Sequence, residues 1–197
     1  MSALSGKLAM ISGMLMRLFP IAFVAFLATV PTHAQTMEFG CPEPGTTFVF
    51  DSGTRIVARG RDGMDCRMEI VGGSPFKVRG LLIDNPSANG TDTSAFIAAL
   101  RPERLWPLEV GKKVEASFSA GGRSWTYILS VARYEKRTGP DDKLIDTFVI
   151  EMTEQGDQGH RSVSRWWISP ADKYAIRFDA SDSTGRANRA VVTTVTR

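Results

Sequence analysis

Histidine, tyrosine and cysteine are scarce here, at two, three and two residues in 197. Nucleophilic catalysis by serine or cysteine needs a nearby base, usually histidine. Of the two histidines, His33 lies in an N-terminal segment expected to be removed, which leaves His160 in the polar turn "EQGDQGHRS". A lone histidine in such a turn reads as a solvated surface residue. Two cysteines with one histidine do not make up a zinc ligand set, so no metal is expected. The sequence holds no Gly-x-Gly-x-x-Gly or Walker loop, and "GRDGMD" reads as a turn rather than a calcium loop. Carboxylates are scattered (Asp141, Asp142, Asp146, Glu151, Glu154) with no motif that pairs them. These absences point away from an enzyme, imply no cofactor, and leave no catalytic residue to name.

Long apolar runs are also missing. The longest, "LFPIAFVAFLATV", is 13 residues, short of the roughly 20 that span a bilayer as a helix. Lys7 and Arg17 precede it, and "PTHAQ" follows with Thr32 and Ala34 at the −3 and −1 positions of a cut before Gln35. That is the layout of a secretory signal peptide. Residues 1–34 are therefore expected to be a signal, with Met14 or Met16 as alternative starts, and residues 35–197 one antiparallel β domain in the periplasm. An uncleaved anchor is the competing reading. No twin-arginine pair occurs, and no transmembrane segment is expected after cleavage. Loss of Lys7 and Arg17 leaves 22 of the 24 basic residues against 21 acidic ones. No basic block is interleaved with aromatics, so nucleic acid is not an expected partner.

In an oxidising compartment Cys41 and Cys66 read as one disulfide, tying the arm "FGCPEPG" to "DCRMEI". For a loop of this size the chain-entropy account gives on the order of 3–4 kcal/mol. A lipid-modified Cys41 is the rival, but Glu38-Phe39-Gly40 lacks the small and aliphatic residues such a site prefers.

What is present in abundance is the short apolar strand. "TTFVFD", "RIVARG", "MDCRMEIV" and "FKVRGLLID" are punctuated by Ser52-Gly53, Asp62-Gly63 and Gly72-Gly73, with Gly80 read as a bulge or bend. The loop "NPSANGTDT" carries Asn89-Gly90-Thr91, formally a glycosylation acceptor. Asp92 or Thr93 can cap the one helix, "SAFIAALRPERL", where Phe96, Ile97 and Leu100 fall at helical spacing and Pro102 ends it or starts a short continuation. Such a helix is expected to plug one face of a sheet. Longer strands follow: "KKVEASFSA", "RSWTYILSVARYEKR", "KLIDTFVIEMTEQ", "SVSRWWIS", "YAIRFD" and "RAVVTTVTR". The expectation is a mainly β fold, a single curved antiparallel sheet or half-barrel of about 8–10 strands with one short helix.

Two strands are apolar on both faces. Trp166 and Trp167 are adjacent, so on a strand they point to opposite sides. Leu144, Phe148, Ile150 and Met152 alternate with Ile145 and Val149. A strand apolar on both sides has both faces covered. The cover is either packing alone or, on one face, a ligand. Candidate ligand-binding residues are Trp125, Tyr127, Phe148, Trp166 and Trp167.

"LWPLEVGKKV" (105–114), "DTFVIE" (146–151) and "RWWISPADKYAIRFD" (165–179) resemble, in order, elements of a group of uncharacterised bacterial periplasmic proteins. Those proteins are similar to the half-barrels of outer-membrane lipoprotein carriers, whose curved sheet can enclose acyl chains. The chain differs from that pattern in lacking a Gly before its Phe-x-Thr-Phe-like element and in having Lys173 where a Gly is common. The resemblance implies an envelope protein that binds a lipid or other apolar ligand, or an envelope protein partner. It brings no catalytic residues. The alternative is a structural or protein-interaction module of the envelope with no small-molecule site.

Overall fold

The computed structural model describes residues 35–84, 93–120, 122–157 and 159–197. The expected signal segment, the Asn89-Gly90-Thr91 acceptor and Asp92 lie outside the described residues. Among those described, no helix is long and apolar enough to cross a membrane.

The first strand, β1 (Thr36–Met37), is followed by a meander of β2 (Thr47–Phe50), β3 (Arg55–Asp62), β4 (Asp65–Ile70), β5 (Pro75–Arg79) and β6 (Leu82–Asp84). Next come the helix α1 (Thr93–Leu100) and the short β7 (Leu108–Glu109). A second meander follows: β8 (Lys113–Ala120), β9 (Arg123–Thr138), β10 (Leu144–Gly156), β11 (Arg161–Ser169), β12 (Tyr174–Asp182) and β13 (Ala187–Thr196). The expected mainly β, antiparallel architecture is what the chain adopts. Eleven strands form one sheet in the order β6-β5-β4-β3-β2-β13-β12-β11-β10-β9-β8. The count exceeds eight to ten because "FKVRGLLID" makes two strands. Gly80, at φ 64°, turns the chain sharply, and a Cβ there would come within 3.1 Å of the Pro102 backbone carbon. Only the unbranched residue fits that turn.

The two meanders join where the last strand meets β2, with Phe50 opposite Val192 and Phe48 opposite Val195. The sheet therefore has its free edges at β6 and β8, the strands of this sheet that come before and after α1 in sequence. The helix packs against both. An open sheet whose two edges reach the same helix must curl, and the helix shields edge strands that would otherwise offer unpaired backbone groups. Arg101, at φ 51°, ends α1, and a 3-10 turn opens at Pro102, so the proline both stops one helix and starts the next.

Two apolar clusters result. Beneath the helix, Ile97, Leu100, Leu105 and Leu108 pack on Leu129, Val131, Phe148, Ile150 and Ile168. The second gathers Phe48, Ile56, Ala58, Met68 and Phe76 with Val149, Trp167, Ile176 and Val192. The alternation in β10 is as expected for Phe148 and Ile150 against Ile145 and Val149. Leu144 departs from it, at 66% exposure. It stands at the strand's first position, beside the 3-10 turn Pro140–Asp142, where the sheet offers it no cover.

Cys41 and Cys66 form the expected disulfide, with Cα atoms 5.4 Å apart. The Cys41 sulfur is thereby committed to Cys66. The N-terminal arm is held a second time by the β1–β7 ribbon, in which Met37 faces Leu108.

Candidate functional site

Between the two halves of the curled sheet lies a cavity of about 440 Å³, within the range of small-molecule sites. One wall comes from the first meander through Phe50, Ile56, Val78 and Ile83. The other comes from the second meander through Trp166, Phe178 and Ala190. Alternation along β2, β3 and β5 directs these side chains to one face, and register does the rest. Trp166 stands between Ile150 of β10 and Phe178 of β12, and Phe178 stands beside Ala190 of β13. The Trp166 and Phe178 rings lie 5.3 Å apart. The arm residues Phe39 and Gly40 and the turn residues Trp106 and Lys173 also line the space.

The described lining is apolar apart from Ser52, Thr54, Tyr174, Trp106 and Lys173, which carry polar groups. Burial pushes the Tyr174 phenol above its ordinary value, so it stays neutral. Its ring packs on Phe48 at 4.4 Å.

Of the five residues singled out from sequence, Trp166 lines this cavity. The structure does not gather the other four there. Phe148 is fully buried in the cluster under α1. Trp167 points the opposite way from Trp166 and is 4% exposed. Its indole N–H donates to Glu135 Oε1 at 2.8 Å, and the Arg137 and Arg177 guanidinium carbons sit 4.7 and 4.9 Å from its ring. Glu135 is held below the ordinary carboxylate range, first by its hydrogen bond from Arg133 and then by that from Trp167. Burial and the Arg177 charge lower Arg137 from its ordinary value. Trp167 is thus clamped by ionic partners, while Trp166 faces open space.

Trp125 and Tyr127 stand at the far end of β9. The Tyr127 hydroxyl donates to Glu154 at 3.2 Å, and Ser162 Oγ donates to the other Glu154 oxygen at 2.8 Å. Burial, then the Glu154 charge, raises the Tyr127 phenol. His160 is not the freely solvated residue its turn implies: its ring meets Trp125 edge-on at 5.3 Å, with Nε2 4.0 Å from Glu154. Ser162 bonds the carboxylate rather than the imidazole, so the pair lacks the contact that activates a nucleophile. Among the described residues no group of three or more His, Cys, Asp or Glu side chains converges as a metal site would require.

Sequence reading passed over the first meander's contribution to the cavity. The signal was there in Phe50, Ile56, Cys66 and Val78, all at even positions. What was missing was the β2–β13 pairing that brings this wall opposite Trp166.

No family model and no curated protein matches this chain. A solved structure, the hypothetical lipoprotein YmcC from Escherichia coli, is similar over 77% of this chain and 84% of its own, at 8% identity and a TM-score of 0.42.

Proposed function

We propose that this chain is exported to the periplasm, loses residues 1–34 as a signal peptide, and as residues 35–197 binds an apolar small molecule in the cavity between the halves of its sheet. The cavity itself carries the reading. A filled core, as the envelope-module alternative requires, would leave few voids larger than a water molecule. Here about 440 Å³ stays open against apolar walls. The disulfide is in keeping with an oxidising compartment.

Native mass spectrometry of protein recovered from the periplasmic fraction tests this in one measurement. The expected spectrum shows the mature mass beginning at Gln35, the loss of two hydrogens for the disulfide, and a non-covalent adduct released by organic extraction. The stripped protein is then expected to take up a fluorescent apolar probe such as N-phenylnaphthylamine. A protein without adduct that also fails to take up the probe overturns the proposal.

A further inference from the structure

Among the described residues the cavity wall contains one charged side chain, Lys173, and no carboxylate. The acid beside it in sequence is used elsewhere: Asp172 pairs with Arg197 and accepts from Ser169 Oγ at 2.7 Å. Among the described residues no ion pair involves the Lys173 ammonium. Among the described residues the buried indole N–H of Trp106, a second lining residue, has no acceptor. Buried polar groups are nearly always paired, so such an exception calls for an explanation.

The N-terminal arm touches both side chains. Phe39 meets the Trp106 ring edge-on at 5.3 Å. The Lys173 stem crosses Gly40 so closely that a Cβ there would lie 2.7 Å from Lys173 Cδ. Phe39 and Gly40 are adjacent, and Cys41 fixes them through its disulfide. Lys173 itself sits at φ 53°, a left-handed conformation that glycine adopts freely and lysine does not. It closes the turn between β11 and β12, its N–H donating to the Ser169 carbonyl at 2.8 Å, and its stem lies against Gly40.

We propose that the cavity takes a single-chain anionic amphiphile, its acidic head accepting from Lys173 and its alkyl chain lying between the halves of the sheet. This rests on the reading of the cavity as an apolar-ligand site. A space of about 440 Å³ is in the range of sites for one small molecule, so a single chain is the occupant proposed. An anion is selected because, among the described residues, the wall has the Lys173 cation and no acid, and the surrounding apolar wall strengthens the attraction.

The test compares dodecanoate, dodecanol and dodecyltrimethylammonium, equal in tail and different in charge, by calorimetric titration of the delipidated protein at pH 7.5. Dodecanoate is expected to bind about ten- to a hundredfold tighter than dodecanol, the range of a charge-assisted hydrogen bond. The cationic amphiphile is expected to bind weakest. Lys173→Met should abolish the preference and leave dodecanol affinity within about twofold. Lys173→Gly relieves the left-handed residue, so it should melt no lower than wild type and lose the preference in the same way, which keeps the test valid should the methionine variant fold poorly. Equal binding of dodecanoate and dodecanol by wild type overturns the anion inference and leaves the apolar site standing. Binding of none of the three overturns the site itself.

Discussion

Replacing each of the adjacent tryptophans by phenylalanine is expected to give opposite results. Trp167→Phe removes the indole N–H that donates to Glu135 at 2.8 Å. A hydrogen bond to a charged acceptor contributes about 1.5–3 kcal/mol. Glu135 is 28% exposed and keeps Arg133, so about 1–2 kcal/mol is the fair share here. The two guanidinium contacts contribute about 0.5–1 kcal/mol each with tryptophan and less with phenylalanine. The expected loss is about 2–3 kcal/mol, or about 4–12 °C in melting temperature for a chain of this size. Trp166→Phe instead trims a ring that borders open volume, loses part of the contact with Phe178, and breaks no hydrogen bond of the described residues. Its expected cost is below about 1 kcal/mol, with the main effect on ligand affinity. Urea unfolding at equal m-value measures both. The Trp167 effect should also depend on pH. Glu135 is depressed below its ordinary value of 4.5 in the fold, so its contribution is present above that pH and lost as pH falls through the lower, folded value. The Trp167→Phe penalty should therefore be full at neutral pH and shrink on acidification below about 4.5. A Trp166→Phe loss equal to or larger than that of Trp167→Phe would refute the assignment of one tryptophan to the clamp and the other to the cavity.

Arg79→Met should cost about 2 kcal/mol at neutral pH in urea unfolding, because it strips the main partner from the buried Asp65 carboxylate, which Arg79 contacts at 2.7 and 3.0 Å. That hydrogen bond is the first cause of the lowered Asp65 pKa, so the penalty should fade as acid protonates the group. Cys41→Ser with Cys66→Ser opens a link across 25 residues. It should lower stability by about 3.5 kcal/mol on the chain-entropy account and weaken ligand binding through the freed Phe39-Gly40 arm, both read on the same protein by unfolding and titration. Ala190→Phe fills the cavity beside Phe178 and should abolish probe uptake while shifting stability by less than about 1 kcal/mol, since the added ring enters existing space.

The strands of this protein could be read along the chain because strand signals are local. Alternation of apolar side chains, the glycine of Asp62-Gly63 opening the two-residue turn Gly63-Met64, and Pro102 after an apolar helix each act within a few residues, and each held. The disulfide followed from composition and the expected compartment, since two cysteines admit one pairing. Gly80 was local too, but the chain alone does not distinguish a bulge from a turn. The close approach of Pro102 decides between them.

Three things required the tertiary structure, each dependent on contacts distant in sequence. The pairing of β13 with β2 brings residue 192 beside residue 50 and makes one curled sheet of two meanders. The cavity exists because of that junction, so its first-meander wall had no signature near Trp166. The roles of the two tryptophans depended on what crosses each face: Arg137 and Glu135 from β9 on one side, open space on the other. The alternation of adjacent residues, a local rule, determined that Trp166 and Trp167 point apart. Long-range packing determined which of them is held and which faces the cavity.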